Sequence, residues 1–82
     1  MVYFVYILEC ADGTYYIGST NDVNSRVKAH NELKVGAKYT RGRRPVRLVF
    51  QEKFSNISQA LKREAEIKKW KRSKKEELIL DN

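Results

Sequence analysis

The sequence lacks the residues and segments that mark exported, membrane-spanning or disulfide-stabilised proteins. Its 82 residues include one cysteine, Cys10, which excludes an intrachain disulfide and a cysteine-based zinc site. No apolar run approaches the roughly 20 residues that a membrane-spanning helix needs. The N-terminus has no basic segment followed by a long apolar core, as a signal peptide would have. These absences predict a soluble protein of the reducing cytoplasm.

Acidic residues are also few relative to basic ones. The chain has 17 Lys and Arg against 10 Asp and Glu, a formal net charge of +7. Clustered positive charge favours polyanionic partners, because binding to a phosphate backbone releases its condensed counterions. Length, a hydrophobic content of 41%, and the absence of repeats or linkers predict one small domain over residues 1–82.

The first 20 residues predict a β-hairpin. Two runs rich in aromatic and β-branched residues, 3–8 and 15–20, are separated by a turn containing Asp12 and Gly13. A three-residue loop with Gly13 in the left-handed conformation would pair Cys10 with Thr14. A two-residue Asp-Gly turn would shift the pairing by one residue.

This register decides whether two tyrosines can act together. In the three-residue loop, strand residues of equal parity share a face, so Tyr6 and Tyr16 point the same way. In the two-residue turn they lie on opposite faces. Any function that needs a tyrosine pair therefore depends on the longer loop.

The rest of the chain predicts three helices and a third strand. The expected elements are a helix over residues 23–33 or 23–35, capped by Asn21 or Asp22 and stopped by Gly36; a strand over residues 46–54; a helix capped by Ser55 or Asn56 and running toward Trp70; and a short helix over residues 73–80. This order predicts an α/β or α+β fold, in which a small three-stranded antiparallel sheet is flanked by helices.

Polar residues occupy positions where these helices should be apolar. At about 100° per residue, Arg26 and His30 fall within the arc that Val23, Val27 and Leu33 define in the first helix. Such groups are either paired inside the protein or line a cleft open to a ligand or metal.

The second long helix has a comparable feature. Glu64 falls near the centre of a stripe made by Ile57, Ala60, Leu61 and Ile67. An ion pair from Arg26 to Glu64 is one explanation and a ligand cleft is the other. Each of these residues also has a purely structural explanation. The tyrosines could be core aromatics, Arg26 could be the partner in a structural ion pair, and His30 could be a half-buried core histidine.

The order of these residues resembles the GIY-YIG nuclease superfamily. The resemblance rests on Val5-Tyr6-Ile7, Tyr16-Ile17-Gly18-Ser19-Thr20, Arg26-Val27-Lys28-Ala29-His30-Asn31 and Ala60-Leu61-Lys62-Arg63-Glu64. The chain is similar in particular to the UPF0213 group of bare GIY-YIG domains, through Gly36-Ala37-Lys38-Tyr39-Thr40-Arg41 and Ile67-Lys68-Lys69-Trp70. The segment Phe4-Val5-Tyr6 lacks the glycine of the family's first motif, a departure that concerns local geometry more than the fold.

The resemblance implies roles for five residues in phosphodiester hydrolysis. Glu64 would hold one divalent cation, Mg²⁺ or Mn²⁺, since a lone carboxylate suits a hard ion that keeps its waters. Arg26 would clamp the scissile phosphate, and His30 would orient or relay a proton. Tyr16 would be the general base with Tyr6 as its hydrogen-bonded partner, although Tyr6 serves as the base in some family members.

Substrate selection is expected from basic and aromatic residues outside this group. The predicted nucleic-acid-binding residues are Lys38, Tyr39, Arg41, Arg43, Arg44, Lys68 and Lys71. If the protein contacts only phosphates, it would recognise the structure of the DNA and not its base sequence.

Three functions are compatible with these features. The first is a metal-dependent endonuclease acting on DNA, on branched, nicked or single-stranded forms during repair. The second is a nucleic-acid-binding module without catalysis. The third is an adaptor that docks on a larger repair protein through its sheet edge or Trp70. No extended apolar face is apparent, so a monomer is expected.

Overall fold

A computed structural model describes residues 2–32 and 42–81 of the chain. Its elements are β1 (Tyr3–Cys10), β2 (Tyr15–Thr20), α1 (Val23–Asn31), β3 (Val46–Phe54), α2 (Ile57–Lys68) and α3 (Arg72–Leu80). The three strands form one antiparallel sheet in the order β2-β1-β3. The predicted α+β fold is confirmed.

The hairpin adopts the three-residue loop. Gly13 has a φ of 85°, and the Cys10 amide donates to the Thr14 carbonyl oxygen at 2.8 Å. The Asp12 carboxylate closes the turn by accepting from the Thr14 amide at 3.1 Å and the Thr14 hydroxyl at 2.6 Å. Pairing of Glu9 with Tyr15 and Tyr6 with Gly18 follows, so Tyr6 and Tyr16 share a face, which decides between the two registers that the sequence allowed.

The two faces of the sheet bury different clusters. One face carries Val5, Ile7, Ile17 and Phe50 against Ala60 and Ile67 of α2. The opposite face buries Tyr6, Leu8, Cys10 and Val46, with Val27 of α1 packed against them. Both clusters draw on β1, because alternate side chains of a central strand point to opposite faces.

Side-chain caps fix where two helices begin. The Asp22 carboxylate accepts from the Ser25 amide at the start of α1, and the Asn56 side chain accepts from the Gln59 amide at the start of α2. α2 runs toward Trp70, as predicted, and ends at Lys68. The predicted continuation of α1 to Leu33 or Val35 is wrong, because the helix ends at Asn31 and Glu32 is already in an extended conformation. The predicted stop at Gly36 lies outside the described residues.

In the described part of the chain, none of the helices combines the length and apolarity needed to cross a membrane.

Candidate active site

The site is centred on Gly18, which lies opposite Tyr6 in the hairpin. A Cβ atom at Gly18 would lie 2.5 Å from the Tyr6 hydroxyl oxygen, 2.7 Å from the adjoining ring carbon Cζ and 3.2 Å from the Tyr16 ring. Only a residue without a side chain leaves room for both phenol rings here. The glycine of the Tyr-Ile-Gly segment therefore creates the space that the tyrosine pair occupies.

Tyr6, Tyr16 and His30 form one aromatic cluster. The Tyr6 hydroxyl lies 3.1 Å from His30 Nε2 in a buried hydrogen bond. The Tyr16 ring centroid lies 4.7 Å from the His30 ring and 6.3 Å from the Tyr6 ring. Tyr6 and His30 are 2% exposed, whereas Tyr16 is partly exposed. Of the two tyrosines, Tyr16 is the one that is partly exposed to solvent.

Burial and neighbouring charges shift the pKa values of Tyr6 and His30 away from those of the free side chains. Burial raises the pKa of Tyr6 well above 10.0, Tyr16 and Glu64 raise it further, and Arg26 opposes the rise. Burial and the nearby Arg26 charge lower the pKa of His30 below 6.5. Tyr6 is therefore a neutral phenol and His30 a neutral imidazole at physiological pH.

Helix α1 positions His30 and Arg26, and its end is fixed to β3. The Asn31 side chain bonds both backbone groups of Val46, accepting from its amide at 2.7 Å and donating to its carbonyl oxygen at 3.1 Å. This clamp holds His30, one residue earlier, against the sheet. The prediction that Arg26 faces the core is wrong, since Arg26 is exposed. Its charge still acts on Tyr6 and His30 from the rim of the cluster.

Glu64 reaches the site from α2. Its carboxylate accepts from the Ser19 hydroxyl at 2.7 Å through Oε1 and pairs with Lys68 Nζ at 2.7 Å through Oε2. The side chain is 16% exposed. Ser19 and Lys68, rather than Arg26, are the partners that the structure gives this carboxylate.

The apolar stripe predicted around Glu64 is only half buried. Ala60 and Ile67 are fully buried, but Ile57 and Leu61 are each 50% exposed. Glu64 thus lies at the border between the packed and the solvated sides of α2 and not at the centre of a buried stripe. A carboxylate at such a border can meet a ligand without the cost of full burial.

The predicted nucleic-acid-binding residues fall into three groups. Lys38, Tyr39 and Arg41 lie outside the described residues. Arg43 pairs with Asp12 at 2.9 Å beside the hairpin turn, and Arg44 buries its Nε and Nη2 atoms without a hydrogen-bond partner among residues 2–32 and 42–81. Lys68 and Lys71 are exposed at the junction of α2 and α3.

Trp70 lies at the same junction. The Arg63 guanidinium stacks 5.1 Å and the Lys74 ammonium 4.4 Å from its ring centroid, and the indole packs against the core. The ring is therefore engaged in cation–π contacts within the domain.

Two residues that position the site were not predicted from the sequence. Ser19 bonds Glu64, and Asn31 clamps α1 to β3. Both lie within the family motifs, next to residues with predicted roles. A serine and an asparagine are common on surfaces, so only the pairing of distant elements shows what they do.

The site suits a divalent cation only as a one-carboxylate site. The described residues contain no group of three or more His, Cys, Asp or Glu side chains that could hold a metal ion. Glu64 would provide one oxygen ligand, with waters and substrate oxygens as the others, as Mg²⁺ commonly accepts. The partly exposed carboxylate, held by one hydroxyl and one surface lysine, fits this requirement.

A small antiparallel sheet that presents two tyrosines, with an arginine and a histidine on one helix and a glutamate on another, defines a domain of the GIY-YIG type. The sequence matches the GIY-YIG catalytic domain over residues 2–77, and the chain belongs to this nuclease family.

Relatives of known sequence or structure carry the UPF0213 name or the same fold. The chain is 56% identical over 77 residues to a UPF0213 protein of Staphylococcus aureus strain Mu3, covering 94% of this chain and 93% of the relative. The solution structure of UPF0213 protein BH0048 from Bacillus halodurans is 51% identical, with a TM-score of 0.62 over 96% of this chain and 83% of the other. Protein EF2693 from E. faecalis is 40% identical, with a TM-score of 0.64 over 94% and 81%.

Proposed function

We propose that this protein is a metal-dependent endonuclease that hydrolyses phosphodiester bonds in DNA. The observation that carries the proposal is the grouping of three side chains: the phenol of Tyr16 beside Gly18, the Glu64 carboxylate bonded to the adjacent Ser19, and the Arg26 guanidinium, whose charge, like that of Glu64, acts on Tyr6. Phosphodiester hydrolysis needs an activated water, neutralisation of negative charge at phosphorus and stabilisation of the departing oxygen. These three groups match those three needs.

Arg26 and Tyr16 act on the phosphate and the water. The Arg26 guanidinium, exposed at the rim, binds two oxygens of the scissile phosphate and stabilises its growing charge. Tyr16 accepts the proton of the attacking water as its own phenol proton passes to solvent. The water oxygen bonds to phosphorus, the bond from phosphorus to the 3′-oxygen breaks, and the departing oxygen takes a proton from solvent. The partial exposure of Tyr16 supports this choice over Tyr6.

Tyr6 and His30 hold the aromatic cluster in place. The Tyr6 oxygen is buried and bonded to His30, and its raised pKa keeps its proton in place, so it is poorly suited to be the base. The neutral imidazole packs against the Tyr16 ring. The pair thereby orients Tyr16 toward the bound phosphate.

Glu64 would hold Mg²⁺ or Mn²⁺, with Ser19 fixing the carboxylate. When bound, the ion supplies a positive charge at the departing oxygen. The protein's own contribution is the rigid placement of the carboxylate beside the sheet.

The proposed substrate is DNA with an accessible backbone, such as branched, nicked or single-stranded forms met in repair. Lys68 and Lys71 are exposed lysines that would contact phosphates, so the structure of the DNA would count more than its sequence.

The proposal is tested by incubating supercoiled, single-stranded, flapped and four-way-junction DNA with Mg²⁺ or Mn²⁺ and protein. We expect cleavage by the native protein and a loss of at least about 100-fold in Glu64→Gln, because the neutral amide is a poor ligand for a hard cation. Binding of the same DNA, measured by fluorescence anisotropy without metal, should change little.

The matched control is Glu66→Gln. Glu66 lies on the same helix, is exposed and pairs with Arg63, so its loss should leave cleavage within about twofold, as for an ordinary surface substitution. If neither native protein nor control cuts any substrate but both bind DNA with a steep salt dependence, the domain is a binding module and not a nuclease.

A further inference from the structure

The two oxygens of the Glu64 carboxylate have partners of different kinds. Oε1 accepts from Ser19, a neutral hydroxyl on β2, whereas Oε2 pairs with the Lys68 ammonium, a positive charge. Ser19 belongs to the sheet and is partly buried, while the Lys68 side chain is 53% exposed. One partner is fixed by the fold and the other is free to leave.

The ion pair between Glu64 and Lys68 is of a kind that a competing cation can break. Glu64 and Lys68 are four residues apart on α2, with the glutamate nearer the N-terminus, the favourable order for such a pair. The Lys68 end of the pair is 53% exposed, so water and salt compete for its ammonium group. A divalent cation at the same oxygen carries twice the charge of the ammonium and repels it.

We propose that Lys68 occupies the cation position at Glu64 in the free protein and moves onto a substrate phosphate when a divalent cation replaces it. The inference rests on the proposed function, because it takes Glu64 as the cation ligand. Lys68 would then be a positioning residue that couples cation binding to DNA binding.

The location of Lys68 supports a phosphate as its second partner. Four residues along a helix correspond to a rotation of about 40°, so Lys68 stays on the same side of α2 as Glu64 when its ammonium is released. A phosphate at the site brings negative charge to that side. The displaced ammonium therefore gains a new counterion at the moment it loses the old one.

Cation binding is measured first, by following the amide shifts of residues 18–20 and 64 in an NMR titration of the full protein with Mg²⁺ alone. Lys68→Met should bind Mg²⁺ about two- to fivefold more tightly than the native protein, because the competing charge is gone. Lys68→Arg keeps a cation and should bind Mg²⁺ about as the native protein does. Lys69→Met removes the neighbouring exposed lysine, about 100° further round the helix, and should also change little.

DNA binding is measured second, by anisotropy with a short single strand in Ca²⁺ or in EDTA, the strand being checked for intactness afterwards. The native protein should bind more tightly in Ca²⁺, with a steeper salt dependence. In Lys68→Met this gain should shrink, and the slope of log affinity against log salt should fall by about one in Ca²⁺ but not in EDTA.

The outcomes separate the two proposals. If Glu64→Gln abolishes the Mg²⁺-dependent shifts but Lys68→Met binds Mg²⁺ as the native protein does, the inference about Lys68 is wrong and the cation site stands. If Glu64→Gln binds Mg²⁺ like the native protein, Glu64 is not the ligand and both proposals fail. A fall in slope of equal size in Ca²⁺ and EDTA would show a permanent phosphate contact, which also contradicts the exchange.

Discussion

Among single residues, Gly18 is the position on which the tyrosine pair depends. A methyl group there would meet the Tyr6 oxygen at 2.5 Å and the Tyr6 Cζ atom at 2.7 Å. We expect Gly18→Ala to lower the free energy of unfolding by about 1–3 kcal/mol, as overpacking of a core does. The Tyr6–His30 bond should also be lost. Denaturant unfolding and the imidazole ¹⁵N shifts of His30 measure the two effects.

Gly42→Ala is the matched control for this substitution. A Cβ atom at Gly42 would meet no atom of the described residues within 4 Å, so the stability of Gly42→Ala should stay within about 0.5 kcal/mol of the native protein, as at ordinary surface positions. Equal destabilisation by the two alanines would show that the clash at Tyr6 does not matter. Because Tyr6→Phe would leave the Cζ contact in place, it should relieve Gly18→Ala only in part.

At the residue scale, local strand geometry could be predicted from the sequence better than contacts between distant side chains. The sequence limited the hairpin to two registers, because side chains alternate between faces, and the structure adopts the one that puts Tyr6 and Tyr16 together. The wheel of α1 placed Arg26 in the apolar arc, yet a long cationic side chain can leave such an arc and reach solvent. Ser19 and Glu64 are 45 positions apart, and no local pattern reports that contact. The five predicted catalytic roles remain predictions.

Among the secondary-structure elements, strand bounds agreed with prediction more closely than helix ends. β2 and β3 have the predicted limits, since alternation and turn residues delimit strands. The sequence did not show the irregularity between β1 and β3, where Ile7 pairs with Phe50 but Leu8 pairs with Leu48. Such a bulge depends on how two distant strands meet.

Helix α3 packs against the core through the partly buried Leu78 and Ile79, and Arg72 adds contacts to the hairpin. The helix has no side-chain N-cap bond and no fully buried residue. Arg72, in its first turn, donates to the Gly13 carbonyl oxygen at 2.6 Å, and its guanidinium lies 4.3 Å from the Tyr15 ring centroid. The hairpin turn and α3 are therefore joined through one side chain.

Arg72→Met should loosen α3 without unfolding the sheet. We expect amide hydrogen exchange in residues 74–80 to be about three- to fivefold faster, since an exposed cation–π contact contributes about 0.5–1 kcal/mol. Glu76→Gln removes the ion pair of Arg72 within α3 but keeps its contacts to the hairpin, so exchange should change less. If the two substitutions have the same effect, the contacts to Gly13 and Tyr15 do not hold the helix.

Across the protein as a whole, arginines and lysines differ in how their positive charges are used. Five of the six ion pairs among the described residues are made by arginines, with Asp12, Glu9, Glu52, Glu66 and Glu76. Lys68, Lys69, Lys71 and Lys74 concentrate near the end of α2. The arginines thus contribute most of the ion pairs within the fold, while a group of exposed lysines lies around the C-terminal end of α2, beyond Glu64.

Lys71→Gln tests whether this charge binds DNA beside the site. We expect affinity to fall by a similar factor for DNAs of different sequence, and the slope of log affinity against log salt to decrease by about one, as for a lost phosphate contact. The control is Lys62→Gln, which removes an exposed lysine about 160° round α2 from Glu64 and should leave the slope unchanged. Anisotropy titrations across a range of salt concentrations measure both. Equal losses in the two variants would mean that DNA binds to the charged surface at large, and a loss confined to one DNA sequence would mean that Lys71 reads bases and not phosphates.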